Sequence, residues 1–258
     1  MNPQYETIAR WLAPSRRGVA FTGAGVSTES GIPDFRSPDG IWARTQPVGF
    51  DEFLRSADAR YEYWRQKSES HRGFFDAEPN LAHQALARWE SLGRLRGVVT
   101  QNIDGLHQLA GSRSVLELHG TAREIACLDC AARYAAEPLV EEFTTTQRVP
   151  ECPKCGGMMK HATISFGQSL EVDILQESSR WSRDTDFFLV MGSSLVVQPA
   201  ASLPGIAKRN GARLIIINRE PTPLDALADV VVNADIGETV DGIQQALDDL
   251  QSHPGHDS

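Results

Sequence analysis

Short apolar segments recur along the chain, and each is followed by small or polar residues. Six of them have the length of buried strands: GVAF (18–21), RGVVT (96–100), SVLEL (114–118), DFFLVM (186–191), RLIII (213–217) and DVVV (229–232). Nearly continuous apolar runs of this kind are typical of parallel strands that are covered by helices on both faces.

Helical periodicity separates several of these strands. One pattern begins at Leu81 and stops at Gly93, a second spans about 201–210 and ends before Gly211, and a third places Val240, Ile243 and Leu247 on one face. Glycine just beyond a periodic segment is typical of a helix end. Alternating strands and helices predict a doubly wound parallel (Rossmann-like) α/β sheet.

Glycine-rich or polar clusters follow five of the predicted strands. They are Gly23-Ala24-Gly25, Gln101-Asn102-Ile103-Asp104, His119-Gly120, Gly192-Ser193-Ser194 and Asn218-Arg219-Glu220. Ligands of doubly wound sheets bind beyond the carboxyl ends of the strands, so a binding site is expected where these clusters meet. Turns are rich in the same residue types for conformational reasons, and this remains the alternative interpretation.

The first of these loops begins like a dinucleotide-binding fingerprint and then departs from it. Glycines after a strand let backbone N–H groups approach a phosphate closely. The fingerprint would require Gly or Ala at Thr28, however, and Pro33 limits the helix that follows. The pattern therefore argues against an ordinary dehydrogenase, and the segment Asp34-Phe35-Arg36 is either a surface turn or an ordered lid.

Composition and charge limit the kinds of partner that this protein is expected to bind. The chain has 258 residues and a formal net charge of −9, which argues against nucleic acid as a partner because such binding relies on Lys and Arg. The N-terminal residues show no secretory pattern, and no apolar run reaches the roughly 20 residues that a membrane span needs. A cytoplasmic protein that does not bind membranes is expected.

All four cysteines lie in two C-x-x-C pairs, Cys127/Cys130 and Cys152/Cys155. This spacing is typical of a zinc ribbon, and four thiolates leave no open position, so one structural zinc ion is predicted. The alternative interpretation is that a C-x-x-C pair is redox-active. Some zinc ribbons bind nucleic acid, but residues 121–160 contain five Lys or Arg against six Asp or Glu and lack a basic surface.

His119 is the candidate acid–base residue, because it ends a predicted strand and is followed by Gly120. An imidazole exchanges protons near neutral pH. A structural role is the alternative, as for any single histidine. His71, His83 and His107 have no comparable setting, and His161 is a spare metal ligand that four thiolates make unnecessary.

Over roughly residues 16–245 the chain resembles the sirtuin family of NAD-dependent protein deacylases, and more closely its class II-like branch. The resemblance is carried by these motifs in order: GAGVSTESGIPDFRS, TQNIDGLHQLAG, ELHG, the paired C-x-x-C, FG at 166–167, GSSLVVQPAA and INREPTPLD.

The resemblance implies a role for each matched residue. His119 and Asn102 are the catalytic residues, and Phe166, Gly167, Val196 and Val197 line the cleft for an acyl-lysine peptide. The implied NAD contacts are Gly23, Ala24, Gly25, Ser27, Asp34, Phe35, Arg36, Gln101, Asn102, Ile103, Asp104, Gly192, Ser193, Ser194, Asn218, Arg219, Glu220 and Ile236.

The resemblance also implies the reaction. The acyl oxygen of the lysine attacks C1′ of the nicotinamide ribose as nicotinamide departs, His119 deprotonates a ribose hydroxyl, and the acyl group moves to ADP-ribose. Phe35 would keep water from the sugar carbon. The alternative is mono-ADP-ribosyl transfer, in which a protein side chain intercepts the same carbon.

The predicted organisation is a single catalytic domain with two smaller parts. Residues 16–42, 79–122 and 162–251 form the Rossmann-like part, 43–78 a helical insertion, 123–161 the zinc module and 252–258 a disordered tail.

The chain departs from the family where the substrate strand begins and ends. The family usually has Arg-Pro before that strand and an acid after Phe-Gly, but Lys160-His161 and Gln168 stand here. Another branch reads acidic acyl groups with a Tyr-x-x-Arg pair. Neither Tyr61 nor Tyr63 has that spacing to Arg65, so desuccinylation is not expected.

Overall fold

The computed structural model describes residues 2–35, 37, 40–41 and 45–252. In chain order the strands are β1 (Gly18–Thr22), β2 (Leu95–Thr100), β3 (Val115–Glu117), β4 (Gly120–Cys127), β5 (Arg133–Ala135), β6 (Met159–Thr163), β7 (Phe187–Met191), β8 (Arg213–Ile217) and β9 (Val230–Val232). The α-helices are α1 (Pro3–Leu12), α2 (Phe50–Arg55), α3 (Ala57–Phe75), α4 (Leu81–Ser91), α5 (Leu106–Leu109), α6 (Ala136–Thr146), α7 (Val172–Asp184), α8 (Leu203–Arg209) and α9 (Ile236–Ser252).

Six parallel strands form the main sheet in the order β3-β2-β1-β7-β8-β9. Each predicted strand is present, and its ends agree with the prediction to within one residue. Every residue of β1 and β7 is buried, as expected for strands covered on both faces. The predicted doubly wound α/β class is confirmed.

Helices cover both faces of this sheet. On one face α1, α4 and α9 pack around Ile8, Leu86 and Ile243; on the other, α7 and α8 bury Trp181 and Leu203. The helix α1 lies before residue 16, where the predicted Rossmann-like part begins, yet it belongs to the same core.

The predicted helix ends are explained by glycine. Gly93 and Gly211 have φ of 69° and 92°, and these left-handed conformations end α4 and the helix α8. The second predicted helix begins later than expected, since 200–202 form a 3-10 turn before α8. Ser252, predicted to begin the tail, still belongs to α9, and residues 253–258 lie outside the described part.

A second, antiparallel sheet has the order β5-β4-β6 and packs against α3 and α6. Its core joins the predicted zinc module to the predicted helical insertion, because Trp64 of α3 lies beside Phe143 of α6 and donates a hydrogen bond to the Met159 carbonyl at 3.0 Å. Strand β4 begins directly after His119, so it connects this sheet to the edge of the main sheet. Among the described residues, no helix is long and apolar enough to cross a membrane.

Candidate active site

The predicted loops meet at one cavity of about 1630 Å³ beside the carboxyl ends of the main strands. His119 lines this cavity together with most of the predicted NAD contacts. The latter are Gly23, Ala24, Gly25, Asp34, Phe35, Gln101, Asn102, Ile103, Gly192, Ser193, Ser194, Asn218, Arg219, Glu220 and Ile236. The glycine-rich and polar residues of these loops therefore line a shared cavity, and the conformational needs of turns alone do not explain them.

Three glycines allow the first and fourth loops to touch. A Cβ at Gly23 would lie 2.7 Å from the Gly192 carbonyl oxygen, and one at Gly25 would lie 2.8 Å from the Gly192 Cα. Gly192 itself has φ of 64°, which also favours glycine. A 3-10 helix (24–30) follows and ends at Gly31, so the long helix of a dehydrogenase fingerprint is absent, as the sequence indicated.

Ser27 and Asp104 lie behind the cavity wall. The Ser27 hydroxyl donates to an Asp104 carboxylate oxygen at 2.7 Å and accepts from the Asn102 side chain at 3.0 Å. Arg123 donates to the Asp104 carbonyl at 2.6 Å, and all of Ser27, Asn102 and Asp104 are buried. These contacts hold the Asn102 amide at the cavity surface. Ser27 and Asp104 therefore position Asn102 without lining the cavity themselves.

Hydrogen bonds define the orientation of His119. Its Nδ1 lies 2.9 Å from the Gln101 carbonyl oxygen. Because a carbonyl oxygen only accepts, Nδ1 carries the proton and Nε2 is the basic nitrogen. The Gln101 side chain donates to the Ser193 hydroxyl at 2.7 Å, which joins the second and fourth loops beside this histidine.

Two further histidines lie behind the same loops. His83 and His107 are fully buried with ring centroids 4.8 Å apart, and His107 Nε2 lies 2.8 Å from the Thr22 hydroxyl. Burial lowers the pKa of His107 to about 3 and that of His83 to about 4, so both rings are neutral near pH 7. The sequence analysis did not single out these two histidines. The available signal was their position at two helix starts, after Asn80 and Gly105.

The loops after β8 and β9 and the start of α9 form another part of the cavity wall. The Asn218 amide donates to the Glu220 carbonyl at 2.6 Å, and Arg219 pairs with Asp235 at 2.9 Å. Glu29, which was not predicted, also lines the cavity and accepts a hydrogen bond from the Gly237 N–H at 2.9 Å.

The predicted lid is partly described. Asp34 accepts from the Ser37 N–H at 2.7 Å, and Phe35 lines the cavity, whereas Arg36 lies outside the described residues.

The predicted peptide cleft borders the same cavity. Phe166, Gly167 and Val197 line the cavity, while Val196 is exposed beside them and does not. The Phe166 carbonyl accepts from the Phe50 N–H at 2.9 Å, which anchors the helical insertion to this cleft.

The four cysteines form one cluster. Their Sγ atoms all lie within 4.8 Å of one another, with 3.5 Å between Cys127 and Cys155 and 3.7 Å between Cys130 and Cys152. A tetrahedral zinc ion with Zn–S bonds of 2.3 Å needs sulfur atoms about 3.8 Å apart, so the cluster fits one zinc ion with no open position. His161 is not part of it, since its ring packs against Trp64.

Comparison with known proteins agrees with this geometry. Residues 23–199 match the model of the Sir2 family. An NAD-dependent protein deacetylase of Rhodopseudomonas palustris is 46% identical over 91% of this chain and 94% of its own. An NAD-dependent protein deacylase 2 of Archaeoglobus fulgidus is 43% identical over 98% and 99%.

Solved structures show the same relationship. A Sir2 enzyme studied for mechanism and regulation superposes with a TM-score of 0.86 at 43% identity, covering 97% of this chain and 100% of that chain. A Sir2 complex with a p53 peptide and NAD+ has a TM-score of 0.83 at 37% identity, covering 95% and 97%. The chain belongs to the Sir2, or sirtuin, family, and the resemblance expected from the sequence is confirmed.

Proposed function

We propose that this protein is an NAD-dependent protein-lysine deacylase that transfers the acyl group to ADP-ribose and releases nicotinamide. The observation that carries the proposal is the placement of His119. Its Nδ1 is held by a backbone carbonyl, which leaves Nε2 as a base on a cavity that glycine-rich loops line. Relatives named NAD-dependent deacetylases over almost the whole chain support the same activity.

In this proposal the loops that meet at Gly25 and Gly192 hold the pyrophosphate, because close backbone approach suits a phosphate. Ser193 and Ser194 continue this surface, and Asn218, Arg219, Glu220 and Ile236 hold the adenosine. NAD supplies a sugar carbon from which nicotinamide departs as the acyl oxygen attacks. Asn102 and Ile103, backed by Asp104, receive the nicotinamide.

His119 Nε2 then takes a proton from a ribose hydroxyl, which becomes the nucleophile for acyl transfer. Phe35, which Arg36 follows in the sequence, excludes water from the sugar carbon, since water there would only hydrolyse NAD.

Acyl-lysine proteins or peptides are the proposed partners. The peptide would enter as an added strand between the segment 166–167 and the segment 196–197, with backbone hydrogen bonds giving affinity. A cytoplasmic location and the class II-like branch belong to the same proposal and rest on the sequence expectation. Nucleic acid and membranes are not proposed as partners, given the net charge of −9.

The proposal is tested by product analysis with an acetyl-lysine peptide and NAD. We expect free lysine peptide, nicotinamide and O-acetyl-ADP-ribose by mass spectrometry. His119→Ala should lower the rate at least about hundredfold, in line with the loss of a general base. His71→Ala, which removes another half-buried histidine outside the cavity lining, is the matched control and should keep its activity.

Zinc content and circular dichroism should be the same for the unchanged protein, the His119→Ala variant and the His71→Ala variant. Full activity in a folded His119→Ala variant would refute the assigned role. ADP-ribose on protein without peptide deacylation would instead establish the mono-ADP-ribosyltransferase alternative.

A further inference from the structure

A buried lysine lies against one wall of the cavity. The cleft segment, residues 163–168, begins at the last residue of β6 and lines the cavity along its whole length. It contains Phe166 and Gly167, two of the residues that are predicted to contact the peptide. Both ends of the cleft segment meet the side chain of Lys160, which belongs to β6 and is only 1% exposed.

Three oxygen atoms accept hydrogen bonds from the Lys160 ammonium. They are the His161 carbonyl at 3.1 Å, the Thr163 carbonyl and, at 3.3 Å, the Gln168 side-chain oxygen. The last two belong to the first and last residues of the cleft segment, so one side chain joins its two ends. A charged lysine has three N–H donors for these three acceptors. A neutral amine has only two, and its lone pair would face an oxygen.

Gln168 connects the lysine to the turn of the cleft segment. Its side-chain oxygen also accepts from the Ser165 N–H at 3.2 Å, and its own N–H donates to the Ser165 carbonyl at 3.0 Å. Gly167 lies inside this turn with φ of 85°. Loss of the contact with Lys160 would therefore loosen the turn that presents Phe166 and Gly167 to the peptide.

The Lys160 ammonium has no acidic partner in the part of the chain that the structure describes. It takes part in none of the ion pairs there, and its hydrogen bonds all go to uncharged oxygens. The titratable groups that face it are its neighbour His161 and, from α3, Tyr63 and Lys67. The ammonium nitrogens of Lys160 and Lys67 lie 5.8 Å and 5.7 Å from the centroid of the Tyr63 ring. From α2 the uncharged Phe50 ring faces Lys160 at 6.0 Å.

The charge of Lys160 changes near neutral pH. Burial lowers its pKa to about 7, with a further contribution from repulsion by Lys67. Burial lowers the pKa of Lys67 to about 8. Burial also raises the pKa of Tyr63 and lowers that of His161 well below its ordinary value, so both of these groups stay neutral near pH 7.

We propose that Lys160 is a positioning residue whose ammonium holds the cleft segment in the shape that accepts the peptide, and that this shape is lost when the amine is neutral. The inference rests on the proposed deacylase function. It concerns the binding of the peptide and adds no step to acyl transfer. It also gives Gln168 a role: a carboxylate there would keep Lys160 charged at higher pH, whereas the neutral amide leaves the charge sensitive to pH.

The test measures KM for an acetyl-lysine peptide and KM for NAD at pH values on both sides of neutrality. The peptide KM should rise about tenfold as Lys160 loses its proton, which corresponds to about one charge-assisted hydrogen bond. The KM for NAD should change little, because other loops hold NAD in the proposed function. Deprotonation of His119 acts on kcat, so the two parameters separate the two groups. A peptide KM that does not depend on pH would overturn the inference.

Substitutions at Lys160 separate its charge from its packing. Lys160→Arg keeps a charged donor at every pH of the test, so its peptide KM should stay low throughout. Lys160→Met keeps the apolar stem without donors, so its peptide KM should be about tenfold higher even below neutral pH. A rise in Lys160→Arg as large as in the unchanged protein would contradict the assigned role. Lys208→Met is the matched control, because Lys208 pairs with Asp229 outside the cavity lining, and it should keep the unchanged profile.

Two neighbouring substitutions should move the pH at which the peptide KM rises. Gln168→Glu places a carboxylate beside the ammonium, and Lys67→Met removes a repelling cation, so each should move the rise to higher pH. Both variants keep Lys160 itself, so the inference stays testable if Lys160→Met does not fold. A rise that disappears in Lys67→Met but persists in Lys160→Arg would show that Lys67 is the titrating group and would overturn the inference.

The failure of this inference and that of the proposed function are distinguishable. Deacylation with a peptide KM that is the same at every pH overturns the inference alone. If no peptide is deacylated, the proposed function fails, and amide hydrogen exchange of residues 164–168 decides the inference. After correction for the intrinsic pH dependence of exchange, protection should fall above neutral pH in the unchanged protein but not in Lys160→Arg. Equal protection at every pH in the unchanged protein would overturn it.

Discussion

His83 and His107 show how single residues support the site from behind. Their rings pack against each other, and the Thr22 hydroxyl that lies 2.8 Å from His107 Nε2 also donates to Thr100 at 2.8 Å. These contacts connect the ends of β1 and β2 just where the two loops of the cavity begin. These contacts require both imidazoles to be neutral, because both rings are buried.

This burial predicts a loss of stability in acid. An unfolded histidine takes up a proton below its ordinary pKa of about 6.5, whereas the folded pair stays neutral down to about pH 4 for His83 and about pH 3 for His107. The unfolded state therefore binds more protons, and the free energy of unfolding falls as the pH drops from about 6.5 towards 4, by up to about 1.4 kcal/mol per pH unit for each histidine.

Urea unfolding at several pH values measures this slope. His107→Gln keeps a side chain that can bond to Thr22 but cannot titrate, so its slope should be smaller by about one proton. An unchanged slope in this variant would contradict the assignment. Comparing the two proteins also removes the contribution of zinc release, which is common to both.

At the scale of elements, the start of α4 holds the first loop in place. The Asn80 side chain accepts from the Ala82 N–H at 3.0 Å as the helix cap, and its amide donates to the Val26 carbonyl at 2.8 Å. His83 completes the cap by accepting from the Asn80 N–H at 3.3 Å. One side chain therefore begins a helix and anchors the 3-10 helix (24–30) beside the cavity.

Two substitutions should separate these contributions. Asn80→Ala removes both and should lower the free energy of unfolding by about 2 kcal/mol. Asn80→Ser keeps a cap acceptor but not the bond to Val26, so it should recover about half of that loss. Urea unfolding at neutral pH checks the order. Equal stability of the two variants would show that the helix cap contributes nothing, and an Asn80→Ser variant as stable as the unchanged protein would show the same for the bond to Val26.

At the scale of the whole molecule, the apolar core has separate parts. Two clusters pack on the faces of the main sheet, and a third contains Trp64, Phe143 and the cysteines Cys127 and Cys152. We expect the third to depend on the metal, because the cysteine cluster lies at the end of β4 and shortly before β6 begins. It still reaches the site, since the Ile164 N–H donates to the His119 carbonyl at 2.8 Å.

Removal of zinc by a strong chelator should therefore loosen the small sheet first. By hydrogen exchange and mass spectrometry, β4, β5, β6 and α6 should lose protection, while β1, β7 and β8 keep theirs. Deacylation should fall in parallel and return when zinc is added back. Loss of protection across all strands in one step would show instead that the two sheets unfold together.

Much of the architecture could be predicted from the sequence because it depends on local pattern. Apolar runs define the six strands, glycines end the helices, and two C-x-x-C pairs bring four thiolates together in almost any ribbon. The helix α1 was not predicted, although Tyr5, Ile8 and Leu12 carry its buried face.

The site is different, because its properties depend on contacts between residues far apart in the chain. The sequence by itself determined the fold class, the metal cluster and the loops that meet at the carboxyl ends of the strands. Only the tertiary structure decided that Ser27 and Asp104 lie behind the wall, that the Gln101 carbonyl fixes the His119 tautomer, and that Lys67 comes beside Lys160. Burial and hydrogen bonding set these outcomes, and both arise only when separate segments pack together.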